Sequence, residues 1–516
     1  MNLKKTVSIL LVLTVLLTGL SACKNSADDP ESSNIDDSVS IKLPVSLVDS
    51  LDPYVCETDF NAQVTLLLYD GLVKVVDDLT YENALAAGIN VGKDEITVTV
   101  RDDAYFSDGS KVSARDVVES FDEAKESDRY SAMLENFESA TASGDRVVVF
   151  KTVREDVYCV NCLDFPIVKY GKALKDGDES ESENIEAVMD ESGNPIGSGR
   201  YKFDSTAADT LTLNEYWYGE DLPKIRRIKL INLIDSGAAV ESMETGNISF
   251  LFQDLSSGVY NRVNAQTSEI LMTNLVFLGV NAFSKCLAKP EVRQAISLVV
   301  NKQNIVEKSF LGYAQVAKTP FYPNWKNLSE LYFDSTDEKE DLLEANHLLD
   351  TAGYSETDSL GMRSSEDASL TLLVNSDNPY KSAAADEIAN DLKSIGLSVK
   401  VNKVDFETYK SDLANVNYDL YIGEVRLPDD MSLEVFFGED GGATYGINRD
   451  ADIVEEYYNF RAGKISLQRF ADLFNVYLPF VPLCYRKGIA AYTNEISYND
   501  EGTHCDVYAG IYTWKY

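Results

Sequence analysis

Histidine and tryptophan are scarce in this chain, with 2 His and 3 Trp in 516 residues. The commonest general base and zinc ligand is therefore nearly missing, and neither His347 nor His504 stands in a recognisable catalytic motif. Gly-x-Ser-x-Gly and His-Glu-x-x-His are absent too, and no spacing singles out a carboxylate pair, so a secreted hydrolase is disfavoured. Positive charge is also short. Lys+Arg 46 against Asp+Glu 85 gives a net charge of -39, which repels a nucleic-acid backbone. What is present argues for folded structure: 44% hydrophobic residues, 10% aromatic and 29 Tyr exceed what a disordered chain carries. The length predicts about three structural units.

Residues 1–22 begin basic at Lys4 and Lys5, continue as an apolar run, and end Leu20-Ser21-Ala22 before Cys23. The uncharged run is shorter than the ~20 residues that cross a bilayer, which predicts a processed export signal. Leu20 to Cys23 resembles a lipobox, with Cys23 as the lipidated new N-terminus. Residues 23–39 read as a flexible tether. Six cysteines remain: Cys56, Cys159, Cys162, Cys286, Cys484 and Cys505. Cys159 and Cys162 form a lone CxxC, read as a structural disulfide or two buried thiols; connectivity stays open. A zinc site needs about four N/S ligands, so with no second CxxC and only two histidines no metal is expected; no cofactor or catalytic residue is expected either. His347, inside the helical run 342–349, is expected on a helix surface.

Ile41, Leu43, Val45 and Leu47 alternate as a strand, with Pro44 pointing to a sheet edge. Strands are predicted at 96–100 and 147–150, and Ser113 with Asp116 forms a capping box. Residues 176–191 hold eight acids and no Lys or Arg and are read as a solvated surface loop. Pro195 to Gly199 lacks the Gly-Lys-Ser/Thr ending of a phosphate loop and is read as a turn re-entering a core. From Leu370 to Ile422 the pattern is βαβαβ, which predicts a mainly parallel sheet with ligand contacts beyond the carboxyl ends of its strands.

Several segments in order resemble the extracellular solute-binding proteins of family 5, the oligopeptide, dipeptide and nickel receptors of ABC importers. They are Leu51-Asp52-Pro53, Tyr69 to Val73, Arg101 to Gly109 with Val112 to Val117, Pro195 to Tyr201, Asn281 with Val292 to Ile296, and Leu348 to Tyr354. The resemblance implies an α/β, two-lobed periplasmic-binding-protein-like fold of three domains, with mixed sheets flanked by helices. Domain I is expected at 40–69, 195–275 and 485–516, domain II at 70–194, and domain III at 276–484. It further implies a monomeric, non-enzymatic, lipid-anchored extracytoplasmic receptor. Such a receptor captures a peptide or small polar solute between closing lobes and delivers it to ABC permease and ATPase subunits. A surface sensor or adhesin would share the fold without the transporter.

Carried over by position, the resemblance places Glu57, Thr58 and Asp59 at the ligand, with Tyr130 from domain II. Domain III contributes Gly423, Glu424, Val425, Arg426 and Asp429. Pro428 stands where peptide receptors usually carry the Asp that pairs with the α-ammonium, and Val425 stands at the Trp position. Asp429 is either the replacement carboxylate or a loop residue. Arg426 is either a bidentate fork for a ligand carboxylate or an internal ion pair with Glu424 or Asp429.

Overall fold

The computed structural model describes residues 40–174, 181–328, 338–449 and 451–515. The leader, Cys23 and the tether lie outside the described residues. Ser40–Val45 pairs in parallel with Arg227–Asn232, and Ala207–Leu213 and Tyr201–Asp204 extend that sheet antiparallel. Pro44 thus sits on an edge strand, where a missing N–H is tolerated. The strand stops short of Leu47, which is exposed. Asn61 ends it by accepting from the Ser46 N–H (2.8 Å) and donating to the Ser46 (3.0 Å) and Ser50 (2.8 Å) carbonyls.

A second, antiparallel sheet runs in the order Ala86–Val91, Glu95–Val100, Val147–Thr152, Phe137–Ala142. Helix Ala114–Glu126 packs on it through Phe121, whose ring meets those of Phe137, Phe150 and Phe165. Its start is the expected capping box: Ser113 Oγ accepts from the Asp116 N–H (3.3 Å) while Asp116 Oδ2 accepts from the Ser113 N–H (2.9 Å). The acidic stretch is not wholly a loop. Glu181–Ala187 pairs antiparallel with Tyr170–Leu174, because backbone pairing in a ribbon needs no apolar side chains. Pro195 to Gly199 does re-enter a core. A Cβ at Gly197 would stand 1.9 Å from the Leu68 carbonyl oxygen, so only glycine allows that approach.

The third sheet has seven strands in the order Phe250–Gln253, Phe480–Tyr492, Gln266–Val280, Leu420–Arg426, Ser369–Asn375 and Ser398–Val404, with Ala314–Val316 also on Phe480–Tyr492. The βαβαβ unit is there: Ser369–Asn375 pairs in parallel with both Ser398–Val404 and Leu420–Arg426. Helix Pro379–Ser394 buries Ile388 and Leu392, and Asp405 caps helix Phe406–Ala414 by accepting from the Thr408 N–H (3.0 Å). The sheet is mixed rather than mainly parallel, since Gln266–Val280 runs antiparallel to Leu420–Arg426.

Gln266–Val280 and Phe480–Tyr492 pair along most of their length, with register shifts between Leu271 and Leu275 and between Val276 and Phe277. Ile270, Met272 and Ala490, towards one end of the pair, belong to the core of the first two sheets. Val276, Leu278, Val481 and Cys484, towards the other end, belong to the core around the βαβαβ unit. The two strands therefore carry the chain between separate cores, and bulges interrupt them where they cross.

Cys56, Cys159, Cys162, Cys286, Cys484 and Cys505 are all free thiols; Cys505 alone among them is partly exposed. Of the two readings of the CxxC, buried thiols on a short 3-10 helix is the one found. His347 lies exposed on helix Glu338–Thr351, as expected. Among the described residues no helix is long and apolar enough to cross a membrane.

Candidate functional site

Helix Asp59–Leu68 begins at Thr58, whose hydroxyl accepts from the Asn61 N–H (3.4 Å) and donates to Asp49 Oδ2 (2.6 Å). Thr58 is thus committed to a helix cap, and Asp49 also accepts from the backbone N–H of Glu57 (3.1 Å) and Thr58 (2.9 Å). Burial raises the Asp49 carboxyl, but these donors outweigh it and hold the group below its ordinary value. The cap fixes the direction of Glu57 and Asp59, both of which stay exposed.

Although its surface is open, Asp59 has its carboxyl pushed up by the protein packed around it and by Asp254, against the pull of Arg129 and Arg426. Tyr130, half-buried, stacks edge-on against Tyr54 (ring centroids 5.7 Å apart). Desolvation raises its phenol, while Arg129 and Arg426 act the other way and Cys56 and Asp164 add to it. Asp164, which accepts from the Val75 N–H (3.0 Å), is pushed far up by burial and further by Asp429.

Strand Leu420–Arg426 brings in the domain III residues. Gly423 faces Phe277, and a Cβ there would stand 2.3 Å from the ring, so this glycine serves packing. Glu424 is held at 2.7 Å by Lys381, with Arg486 at 3.7 Å, and is no free ligand group. Val425 is half-buried opposite Leu275. Arg426 ends the strand opposite Asn274 and is exposed; Glu424 pairs elsewhere, so the internal pair with that residue does not form. Asp429 is taken by His504, Nε2 lying 2.8 Å from Oδ1, and by the Cys505 thiol at 3.3 Å from Oδ2. Burial pushes the Asp429 carboxyl up, yet His504, Cys505 and Arg426 together hold it below the usual range.

Asp59, Tyr130, Arg426 and Asp429, drawn from three distant stretches, therefore share one electrostatic neighbourhood, with Arg129 as an added cation. Arg129 escaped sequence reasoning although it adjoins Tyr130. His504 and Cys505 escaped it because only folding brings residue 429 to residue 504. Two cavities bear on the choice of site. One of about 300 Å³ is lined by Gly423, Glu424, Val425, Lys381, Tyr409 and Tyr445. A larger one of about 350 Å³, lined by Val306, Lys318, Phe321 and Lys487 among others, contains none of the expected site residues. Pocket size alone thus points away from the sequence-predicted positions.

The site is also braced across the chain. Arg461 Nη2 lies 2.6 Å from Asp156 Oδ2 and pairs with Asp430 Oδ2 as well, all three side chains being nearly excluded from solvent. Asn161 Nδ2 donates to the Asp429 carbonyl (2.9 Å), and the Val157 N–H donates to the Arg461 carbonyl (2.9 Å).

Residues 80–442 match the model of the bacterial extracellular solute-binding proteins, family 5 Middle. The chain is 26% identical over 434 residues to the oligopeptide-binding protein AppA of Bacillus subtilis (strain 168), covering 80% of this chain and 78% of that one. It is 24% identical over 326 residues to the glutathione-binding protein GsiB of Pectobacterium atrosepticum, 59% of either chain being covered, so the chain spans little more than half that relative. In three dimensions it superposes on the periplasmic murein tripeptide binding protein MppA, unliganded and open. That match has a TM-score of 0.70 at 18% identity, over 91% of this chain and 96% of the other. It also superposes on NikA from Brucella suis in complex with Fe(III)-EDTA, with a TM-score of 0.66 at 18% identity, over 92% and 99%. The fold is thus that of the periplasmic binding proteins, α/β with mixed sheets flanked by helices.

Proposed function

This chain belongs to the bacterial extracellular solute-binding proteins of family 5, extracytoplasmic binding proteins of ABC importers, and from that premise we propose that it captures a peptide or similar small polar solute between two closing lobes and hands it to a membrane permease. The shared electrostatic neighbourhood of Asp59, Tyr130, Arg426 and Asp429 carries this reading. Those residues come from the three domains that the resemblance implies. The proposed boundaries at 275 and 485 fall among the register shifts of Gln266–Val280 and Phe480–Tyr492, two strands that contribute both to the core of the first two sheets and to the core around the βαβαβ unit.

Within this reading Arg426 receives a ligand carboxylate, since it is exposed and Glu424 is occupied by Lys381. Asp59 offers the negative charge for a cationic group. Gly423 to Val425 border the 300 Å³ cavity, which suits a ligand side chain. Glu57 stands at the rim, and Thr58 acts through the helix cap rather than by touching ligand. The protein works as a monomer without catalysis, tethered by a lipid on Cys23, as the Leu20 to Cys23 order supports.

A thermal-shift screen with a library of free-acid peptides tests the proposal. A peptide present at about 100 times its Kd adds about 2.7 kcal/mol of stability. At least one class of peptide should raise the melting temperature of the wild type and do so less for Arg426→Ala. A library that moves neither protein would overturn the peptide reading.

A further inference from the structure

The side chains of Asp429, His504 and Cys505 point their donor atoms at one another, all within 4.8 Å. Nε2 of His504 is 2.8 Å from Asp429 Oδ1 and 3.2 Å from Cys505 Sγ, and that Sγ is 3.3 Å from Asp429 Oδ2. A catalytic relay would place the carboxylate on one ring nitrogen and the thiol on the other. Here both approach Nε2, so the ring cannot pass a proton from Cys505 towards Asp429. Three donors crowded about one point is instead the arrangement of ligands around a cation.

We propose that Asp429, His504 and Cys505 form a binding site for a zinc-class divalent cation. Thiolate, carboxylate and neutral imidazole carry two negative charges in total, which balances such an ion in a site sheltered from water. Metal–ligand bonds of about 2.0–2.3 Å in tetrahedral geometry set the donors about 3.3–3.6 Å apart. The present triangle is tighter, most of all on the Asp429–His504 edge at 2.8 Å, so an outward movement of about half an ångström there admits the ion. The fourth position is left for water or a ligand atom.

Both halves of the site are held by other bonds. On one side Asn161 fixes the Asp429 carbonyl (2.9 Å), the Met431 N–H donates to the Pro428 carbonyl (2.8 Å), and Arg461 fixes the adjacent Asp430. On the other, His504 and Cys505 sit inside a turn closed by the Thr503 N–H to the Asp506 carbonyl (3.0 Å) and the Asp506 N–H to Thr503 Oγ1 (3.0 Å). Asp506 is anchored in turn by Arg200 (2.7 Å) and Lys74 (3.1 Å). Cys505 is also the one remaining thiol with some exposure, so an ion can reach it. The site goes beyond solute capture, although Asp429 also belongs to the neighbourhood proposed for the ligand; it ties the segment after strand Leu420–Arg426 to the C-terminal segment.

Cobalt(II), added to untagged protein under a non-thiol reductant and without peptide, tests the site. One equivalent should produce a sulfur-to-cobalt charge-transfer band and strong tetrahedral visible bands, both displaced by zinc. Cys505→Ala should abolish the charge-transfer band, Asp429→Asn should weaken binding by roughly tenfold or more, and Cys159→Ala should change neither. No band in the wild type at saturating cobalt would overturn the proposal without recourse to any variant. A band that survives Cys505→Ala would overturn it by assigning the ion to another thiol. Neither outcome bears on peptide capture, which the thermal-shift screen reads separately.

Discussion

Arg426 stands at the end of a strand, exposed, with Asp59 and Asp429 within electrostatic reach. An arginine so placed can grip a carboxylate with two parallel bonds, whereas lysine supplies only a point charge. Arg426→Lys should weaken a bound free-acid peptide, and Arg426→Ala should weaken it further, by about 2 kcal/mol or more. The C-terminally amidated peptide should be nearly indifferent in titration calorimetry. Equal losses for acid and amide would assign Arg426 to propping the loop. Asp506 is the second residue with a readable consequence. Burial alone would raise its carboxyl, but Arg200 and Lys74 hold it at about 2, against an ordinary value of 3.8. A depressed carboxyl contributes stability that is complete above about pH 4 and lost as pH falls through about 2. That contribution is about 2 kcal/mol. Asp506→Asn should remove this part of the acid limb in pH-dependent denaturant unfolding and destabilise at neutral pH as well, since Arg200 is left buried without its partner. Motif position put Asp59, Tyr130 and Arg426 forward as ligand residues, and the structure brings them within electrostatic reach of one another. The sequence could not show that Thr58 is spent on a cap, Glu424 on Lys381, or Asp429 on His504, because partners chosen by folding leave no local pattern.

Among the elements, the braces between Arg461 at the end of helix Asp452–Arg461 and Asp156 just before the 3-10 turn at Cys159 stand out. Arg461 serves two carboxylates in a nearly water-free setting, and burial lifts the Asp430 carboxyl against its pull. Asp156→Ala removes one partner and leaves its share of the guanidinium unmatched. It should cost about 3 kcal/mol in chemical denaturation, if the pair behaves as buried pairs do; a loss below about 0.5 kcal/mol would show the contact to be incidental. Elements with strong local signals were read correctly from the sequence: the capping box at Ser113 and the βαβαβ unit from Ser369 to Arg426. Misreadings came from non-local pairing. The sheet is mixed because Gln266–Val280 inserts antiparallel, and Glu181–Ala187 pairs as a strand despite its charges.

For the molecule as a whole, two strands with interrupted register join separate cores, and the proposed closure of two lobes would bend there. Its acidic surface favours cationic or neutral solutes at long range, so an anionic group on the ligand needs a local cation such as Arg426 or Arg129. Anchoring belongs to the same scale. Cys23→Ala should yield a folded protein released from the membrane or retained with its leader uncleaved. Unchanged membrane partitioning, together with a wild-type N-terminus whose mass is unaltered by delipidation, would exclude the anchor. The most direct test of the central claim is small-angle X-ray scattering of the wild type with and without the strongest stabilising peptide from the thermal-shift screen, at saturation verified by calorimetry. Closure of two lobes on the ligand predicts a smaller radius of gyration in the complex, and superimposable curves at verified saturation would contradict it.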